Sequence, residues 1–156
     1  MAIDTTIKEN RERAEQEGEA LTDKVILVVD DSPTVCKIVK VTLTKMGCRV
    51  IIAEDGLEAL AKIEDEKPDL ILLDIIMPHM DGYQVCSLIK EKPHYKHIPV
   101  VMLSGKDGFF DKVRGRLAGS TGYITKPFQP HVLTEMVEKH LTDRGSKSEQ
   151  VSSQPG

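Results

Sequence analysis

The chain has 156 residues, 40% of them hydrophobic and 29% charged, with a formal net charge of -4. That suits one compact domain with polar length to spare, and without a Lys/Arg block it argues against a nucleic-acid footprint. No apolar run approaches the roughly 20 residues that span a bilayer, and the N-terminal MAIDTTIKENRER is polar rather than signal-like, so membrane insertion and secretion are not expected and a cytoplasmic protein is.

Residues 1–23 are rich in Glu, Arg, Lys and Gln, with Lys8/Glu12, Glu9/Arg13, Arg11/Glu15 and Arg13/Glu17 at i,i+4. This reads as a charged extension, either disordered or a partly formed helix that Ile7, Ala14 and Leu21 could offer to a partner. Short apolar runs then alternate with helical periodicities over residues 24–142. VILVV (25–29), VIIA (50–53), LILL (70–73), VVML (100–103) and YIT (123–125) are expected as strands. After the first, Ser32 can cap a helix with Pro33 at its first position and Gly47 beyond its end, and Val35, Ile38, Val39, Thr42 and Met46 share one face. Leu57, Leu60 and Ala61 mark a second helix, and Tyr83, Cys86, Leu88 and Ile89 a third. Phe110, Val113 and Leu117 mark a fourth, and Leu133, Met136, Val137 and His140 a fifth. Residues 143–156 read as a flexible tail.

Five strands alternating with five helices predict a doubly wound α/β domain, one parallel sheet covered on both faces because right-handed crossovers put helices there. Ligands bind such folds beyond the carboxyl ends of the strands. Asp30 and Asp31 end the first expected strand, Asp74 ends the third, Ser104 follows the fourth and Lys126 the fifth, so all five leave from one rim. Singly, each has a plainer reading: adjacent Asp residues as helix caps, an Asp after an apolar run as a turn, Lys-Pro as a stop. Jointly they imply a site. Three carboxylates repel by up to ~4 kcal/mol per pair at about 4 Å for an effective dielectric of about 20. A compensating hard, oxygen-seeking cation is expected, Mg²⁺ above all, with Lys126 as a second positive charge. A metal, a lysine and a hydroxyl around one carboxylate are the parts needed to place a phosphoryl group on it.

The remaining chemistry-bearing residues add little. Cys36, Cys48 and Cys86 have no CxxC spacing and are expected as small apolar fillers; Met46, Met77, Met102 and Met136 fall at packing positions; His94 and His97 lie among prolines and read as a surface loop.

VVDDSP (28–33), LLDIIMPHMDGY (72–83), MLSGKD (102–107) and YITKPF (123–128) together make the chain resemble the receiver domain of two-component response regulators over residues 24–142. The resemblance implies the flavodoxin-like strand order 2-1-3-4-5. It implies Asp74 as phosphoacceptor, Asp31 as a direct Mg²⁺ ligand, Asp30 as a ligand directly or through water, and the Ile76 carbonyl as a further one. Lys126 would pair with a phosphoryl oxygen, Ser104 and Tyr123 would be the hydroxyl and aromatic switch positions, and the Lys126–Pro127 bond would be cis. Pro78 and Gly82 would shape the loop beyond the acceptor, with Asp81 capping the next helix. Ile76 and Lys106 would overlie the phosphoryl group, an apolar Ile76 shielding it from water.

Such a protein takes its phosphoryl group from a histidine kinase and signals to a downstream output protein, without DNA binding or a dedicated enzymatic role beyond assisting its own phosphorylation and dephosphorylation. The output face implied is the fourth helix, fifth strand and fifth helix, with Phe109, Phe110, Arg114, Tyr123 and Phe128 as candidates. LSGKDGFFDKVRGRLAGSTGYITKPF is similar to single-domain regulators of type IV pilus twitching-motility chemosensory systems, and nothing after Thr142 is long enough for an effector domain. Two rivals remain. An Mg²⁺-dependent aspartyl-phosphate hydrolase would need an acid/base Asp where Ile76 stands. A phosphorylation-independent pseudo-receiver would usually lack one of Asp30, Asp31, Asp74 or Lys126, all present here.

Overall fold

The computed structural model describes residues 21–105 and 109–142. The elements in chain order are β1 (Val25–Val29), α1 (Pro33–Lys45), β2 (Arg49–Ala53), α2 (Gly56–Glu66), β3 (Leu70–Asp74), α3 (Gly82–Glu91), β4 (Val100–Ser104), α4 (Phe109–Ala118), β5 (Gly122–Thr125) and α5 (Pro130–Thr142). The strands form one parallel sheet in the order β2-β1-β3-β4-β5. Apolar runs without alternation become strands buried on both sides, as β3 and β4 are at every position. Their side chains then divide by parity. Leu27, Val29, Ile71, Leu73, Val100 and Met102 pack with Ala59, Ile63, Val85, Cys86 and Ile89 of α2 and α3. Ile26, Val28, Leu70, Leu72, Val101, Leu103 and Ile124 pack on the other face with Val39 and Leu43 of α1 and Leu133, Val137 and Leu141 of α5.

Local chemistry sets the helix ends. Ser32 Oγ accepts from Val35 N at 3.3 Å with Pro33 at the first position. At the far end Gly47, φ +90°, donates to Thr44 O while Cys48 N reaches Leu43 O, the paired hydrogen bonds of a Schellman stop. Asp55 caps α2, and Asp81 and Gln84 form a reciprocal capping box on α3.

Three helix faces differ from expectation. The inward stripe of α1 is Cys36, Val39 and Leu43; of the expected face, Val39 is buried and Val35 and Met46 pack partly against the core, while Ile38 is exposed. α2 turns Gly56, Ala59 and Ile63 inward and leaves Leu57 68% exposed. On α4, Val113 is 38% and Leu117 82% exposed, and the residue turned inward is Gly115. Each of these helices carries apolar residues around more than one side, and on α4 the close approach to the sheet is made at a glycine. At Gly115 a Cβ would already meet Met102 Cγ at 3.4 Å.

Leu21, counted with the extension in the sequence, is fully buried in the α1/α5 layer. Asp23 N bonds Gly47 O at 3.0 Å, which ties this segment to the end of α1. The remainder of the extension, through residue 20, and the tail from residue 143 lie outside the described residues. All three cysteines are buried free thiols, Met77 and Met102 are buried, and His94 and His97 are exposed.

Candidate functional site

In a parallel sheet every strand delivers its carboxyl end to the same rim. β1 ends at Val29, beside Leu73 of β3 and Ala53 of β2, so Asp30 emerges next to Asp74. β4 brings Ser104 level with Thr125 of β5, one residue before Lys126. Asp30, Asp31 and Asp74 each offer a carboxylate oxygen within 4.8 Å of the others. Lys126 Nζ lies 2.6 Å from Asp30 Oδ2 and 3.2 Å from Asp74 Oδ1.

The buried Asp30, 1% exposed, is thereby compensated: Lys126 holds one oxygen, and the backbone N–H of Ser32 donates to the other at 2.9 Å. Asp74, 5% exposed, has Oδ1 oriented by Lys126 and by the N–H of Ile76 at 3.3 Å. Burial raises the Asp74 carboxyl above its ordinary value and the Asp30 charge raises it further, while Lys126 and the Ile76 N–H pull it back. Burial alone would lower the Lys126 ammonium, but its hydrogen bonds to Asp30 and Asp74 outweigh that and hold it above the usual lysine value. Cys36, whose Sγ donates to Asp30 O at 3.3 Å, is raised by burial and then by Asp30, an inert thiol rather than a nucleophile.

The geometry fits a hard cation. Asp31 is exposed to solvent beside two buried carboxylates, the donor set is all oxygen, and one ammonium against three carboxylates leaves net negative charge. Asp30, Asp31, Asp74, Ser104 and Lys126 are thus all brought to one rim. The Ile76 side chain is exposed beyond it, and Gly82 sits so close beneath the loop that its own N–H bonds Ile75 O at 2.8 Å. Lys126–Pro127 is cis.

Of the expected output residues, Tyr123 is half-buried with Lys112 Nζ 5.6 Å from its ring centroid, Arg114 is exposed on α4, and Phe128 packs into the α1/α5 layer. Lys106 and the side chains of Phe109 and Phe110 lie outside the described residues.

One participant escaped the sequence reading. Asp111 of α4 accepts from the Ser104 hydroxyl at 3.2 Å through Oδ2 and from the Tyr83 hydroxyl at 3.1 Å through Oδ1. Tyr83 is pushed up to about 12, by burial first and by its bond to Asp111 second. The Arg114 guanidinium stands 4.6 Å from the centroid of the Tyr83 ring. Asp111 stands in the KDGFFDK stretch of the segment that resembles the motility regulators, but no role was attached to it there; a further signal was its place in the first turn of a helix that starts just beyond Ser104.

The family model described as "Response regulator receiver domain" matches residues 26–138. Protein PilG of Pseudomonas aeruginosa is 47% identical over 127 residues, 81% of this chain and 92% of that protein. The crystal structure of a response regulator from Chloroflexus aurantiacus is similar at a TM-score of 0.75 and 33% identity, covering 78% of this chain and 99% of that one. Chemotaxis response regulator CheY4 of Vibrio cholerae is similar at 0.73 and 34%, covering 76% and 99%. With the strand order, the acidic rim and these similarities in agreement, the chain belongs to the response regulator receiver domain family.

Proposed function

We propose that this protein is a phosphorelay receiver that accepts a phosphoryl group from a histidine kinase on Asp74. The observation that carries the reading is the buried Asp74 carboxylate held between a lysine and two further carboxylates at the sheet rim. In the transfer, an Asp74 oxygen forms the bond to phosphorus as the donor's N–P bond breaks, and the electron pair leaves with the donor imidazole. Lys126 keeps Asp74 ionised against its burial and lies within reach of the charge the phosphoryl oxygens bring. Asp31, Asp30, Asp74 and the Ile76 carbonyl would hold Mg²⁺, which when bound neutralises phosphoryl oxygens. The apolar Ile76 side chain, exposed at the mouth, would shield the acyl phosphate from water.

Output would pass through the face of α4, β5 and α5 as Ser104 and Tyr123 respond to a group carrying about -1.5 to -2 charge. The similarity to PilG and the segment 103–128 support a chemosensory or type IV pilus pathway. No helix among the described residues is long and apolar enough to cross a membrane.

The test is intact mass after incubation with Mg²⁺ and acetyl phosphate. One phosphoryl adduct is expected, absent in Asp74→Asn and in EDTA. No adduct from either acetyl phosphate or a cognate kinase, in a folded protein, would replace this reading with a constitutive interaction module.

A further inference from the structure

Among the described residues of α4 the apolar Val113 and Leu117 face solvent, while Gly115 is buried against Met102 of β4 and Ala118 packs, partly buried, against the core. It also holds neighbouring elements through polar groups: Asp111 on Ser104 and Tyr83, Arg114 over the Tyr83 ring, and Lys112 near the Tyr123 ring. Helices are usually fixed by an apolar stripe. This one also carries a carboxylate whose two oxygens are taken by hydroxyls from β4 and α3.

A serine hydroxyl has one proton to donate. While that proton is directed to Asp111 Oδ2, it is not available to a phosphoryl oxygen on Asp74, one strand away. The two hydrogen bonds therefore exclude each other.

Resting on the reading of Asp74 as phosphoacceptor, we infer that Asp111 is a positioning residue of the switch: it holds the Ser104 hydroxyl in the unphosphorylated protein, and losing that hydroxyl to the phosphoryl group removes one of the holds of α4 on β4. The three phosphoryl oxygens and their charge outcompete one partly solvated carboxylate. Asp111 then keeps only Tyr83, so α4 shifts relative to the sheet while remaining tethered to α3. The groove between these helices, lined by His79, Met80, Tyr83, Arg114 and Leu117, changes shape with it. Phosphorylation would thus be read at the α3/α4 groove as well as at the α4/β5/α5 face.

The experiment titrates wild type, Asp111→Ala and Asp111→Asn with beryllofluoride and Mg²⁺, following backbone amide signals by NMR, with each repeated in a Ser104→Ala background. Asp111→Ala is expected to bind the phosphoryl mimic roughly tenfold more tightly, the size of one hydrogen bond to a charged group. Before any addition, its α4 amide signals should lie part of the way toward those of loaded wild type. Asp111→Asn, which keeps one acceptor oxygen, should move the same way by less. In the Ser104→Ala background the Asp111 substitutions should change nothing, because the competition has lost its proton. Unchanged affinity in Asp111→Ala, or a gain that persists without the Ser104 hydroxyl, overturns the inference while leaving the receiver reading intact. Failure of wild type itself to bind the mimic overturns both.

Discussion

Asp30 and Asp74 are two buried carboxylates facing one ammonium, and the balance is visible in the upward push on both Asp74 and Lys126. Replacing Lys126 with Met removes the cation and leaves the pair uncompensated, which should cost about 3 kcal/mol at neutral pH, the range for breaking a buried ion pair from one side. Asp74 already binds its proton more tightly folded than unfolded, and without Lys126 it would do so more strongly. A carboxyl raised in this way supports the fold below its ordinary value and loses that support as pH climbs through the raised one. Urea denaturation of Lys126→Met should therefore show stability rising as pH is lowered from about 7 to about 5, with Mg²⁺ restoring part of the loss at neutral pH. A pH-independent stability, unaffected by Mg²⁺, would contradict this electrostatic account. These residues were legible in the sequence because each directly follows an apolar run. Asp111 was not, since its partners stand 7 and 28 positions away and on different elements.

At the scale of elements, strand positions and helix caps were readable because each depends on a few neighbouring residues. Ser32, Gly47 and Asp81 act where their chemistry says they should. Gly82 shows the tightest such constraint: a Cβ there would stand 2.3 Å from Asp74 O and 2.9 Å from Ile75 Cα, both backbone atoms that cannot swing aside. Gly82→Ala should lower stability by about 1–3 kcal/mol, as overpacking does, and slow phosphoryl uptake because the displaced backbone carries the acceptor. A wild-type urea midpoint together with a wild-type rate of adduct formation would show that the loop yields freely. Helix faces were harder. The expected stripes on α1, α2 and α4 held Val39 correctly but missed Cys36 and Leu43, Ala59 and Ile63, and Gly115, which face the sheet. Where two sides of a helix are apolar, the fit of helix to sheet decides between them.

For the whole molecule, the domain edge is set by burial rather than by composition. Leu21 sits in a strongly charged segment yet is wholly inside the core, with its carbonyl accepting from Cys48 Sγ at 3.6 Å. Leu21→Ala should cost about 2–5 kcal/mol, the usual loss for a buried leucine. Deleting residues 1–20 should leave the urea midpoint nearly unchanged, whereas deleting 1–23 should cost at least as much as Leu21→Ala. Equal losses from the two deletions would move the edge of the domain further toward the N-terminus. The sequence by itself determined the five strands and five helices of residues 24–142, the caps at Ser32, Gly47 and Asp81, and the acidic rim, because apolar runs, capping residues and strand-end carboxylates are local features and a parallel sheet carries all its strand ends to one side. Only the tertiary structure decided which side of each helix meets the sheet, that Leu21 belongs to the core, and that Asp111 joins Ser104 to Tyr83, because those depend on packing distances between segments far apart in the chain.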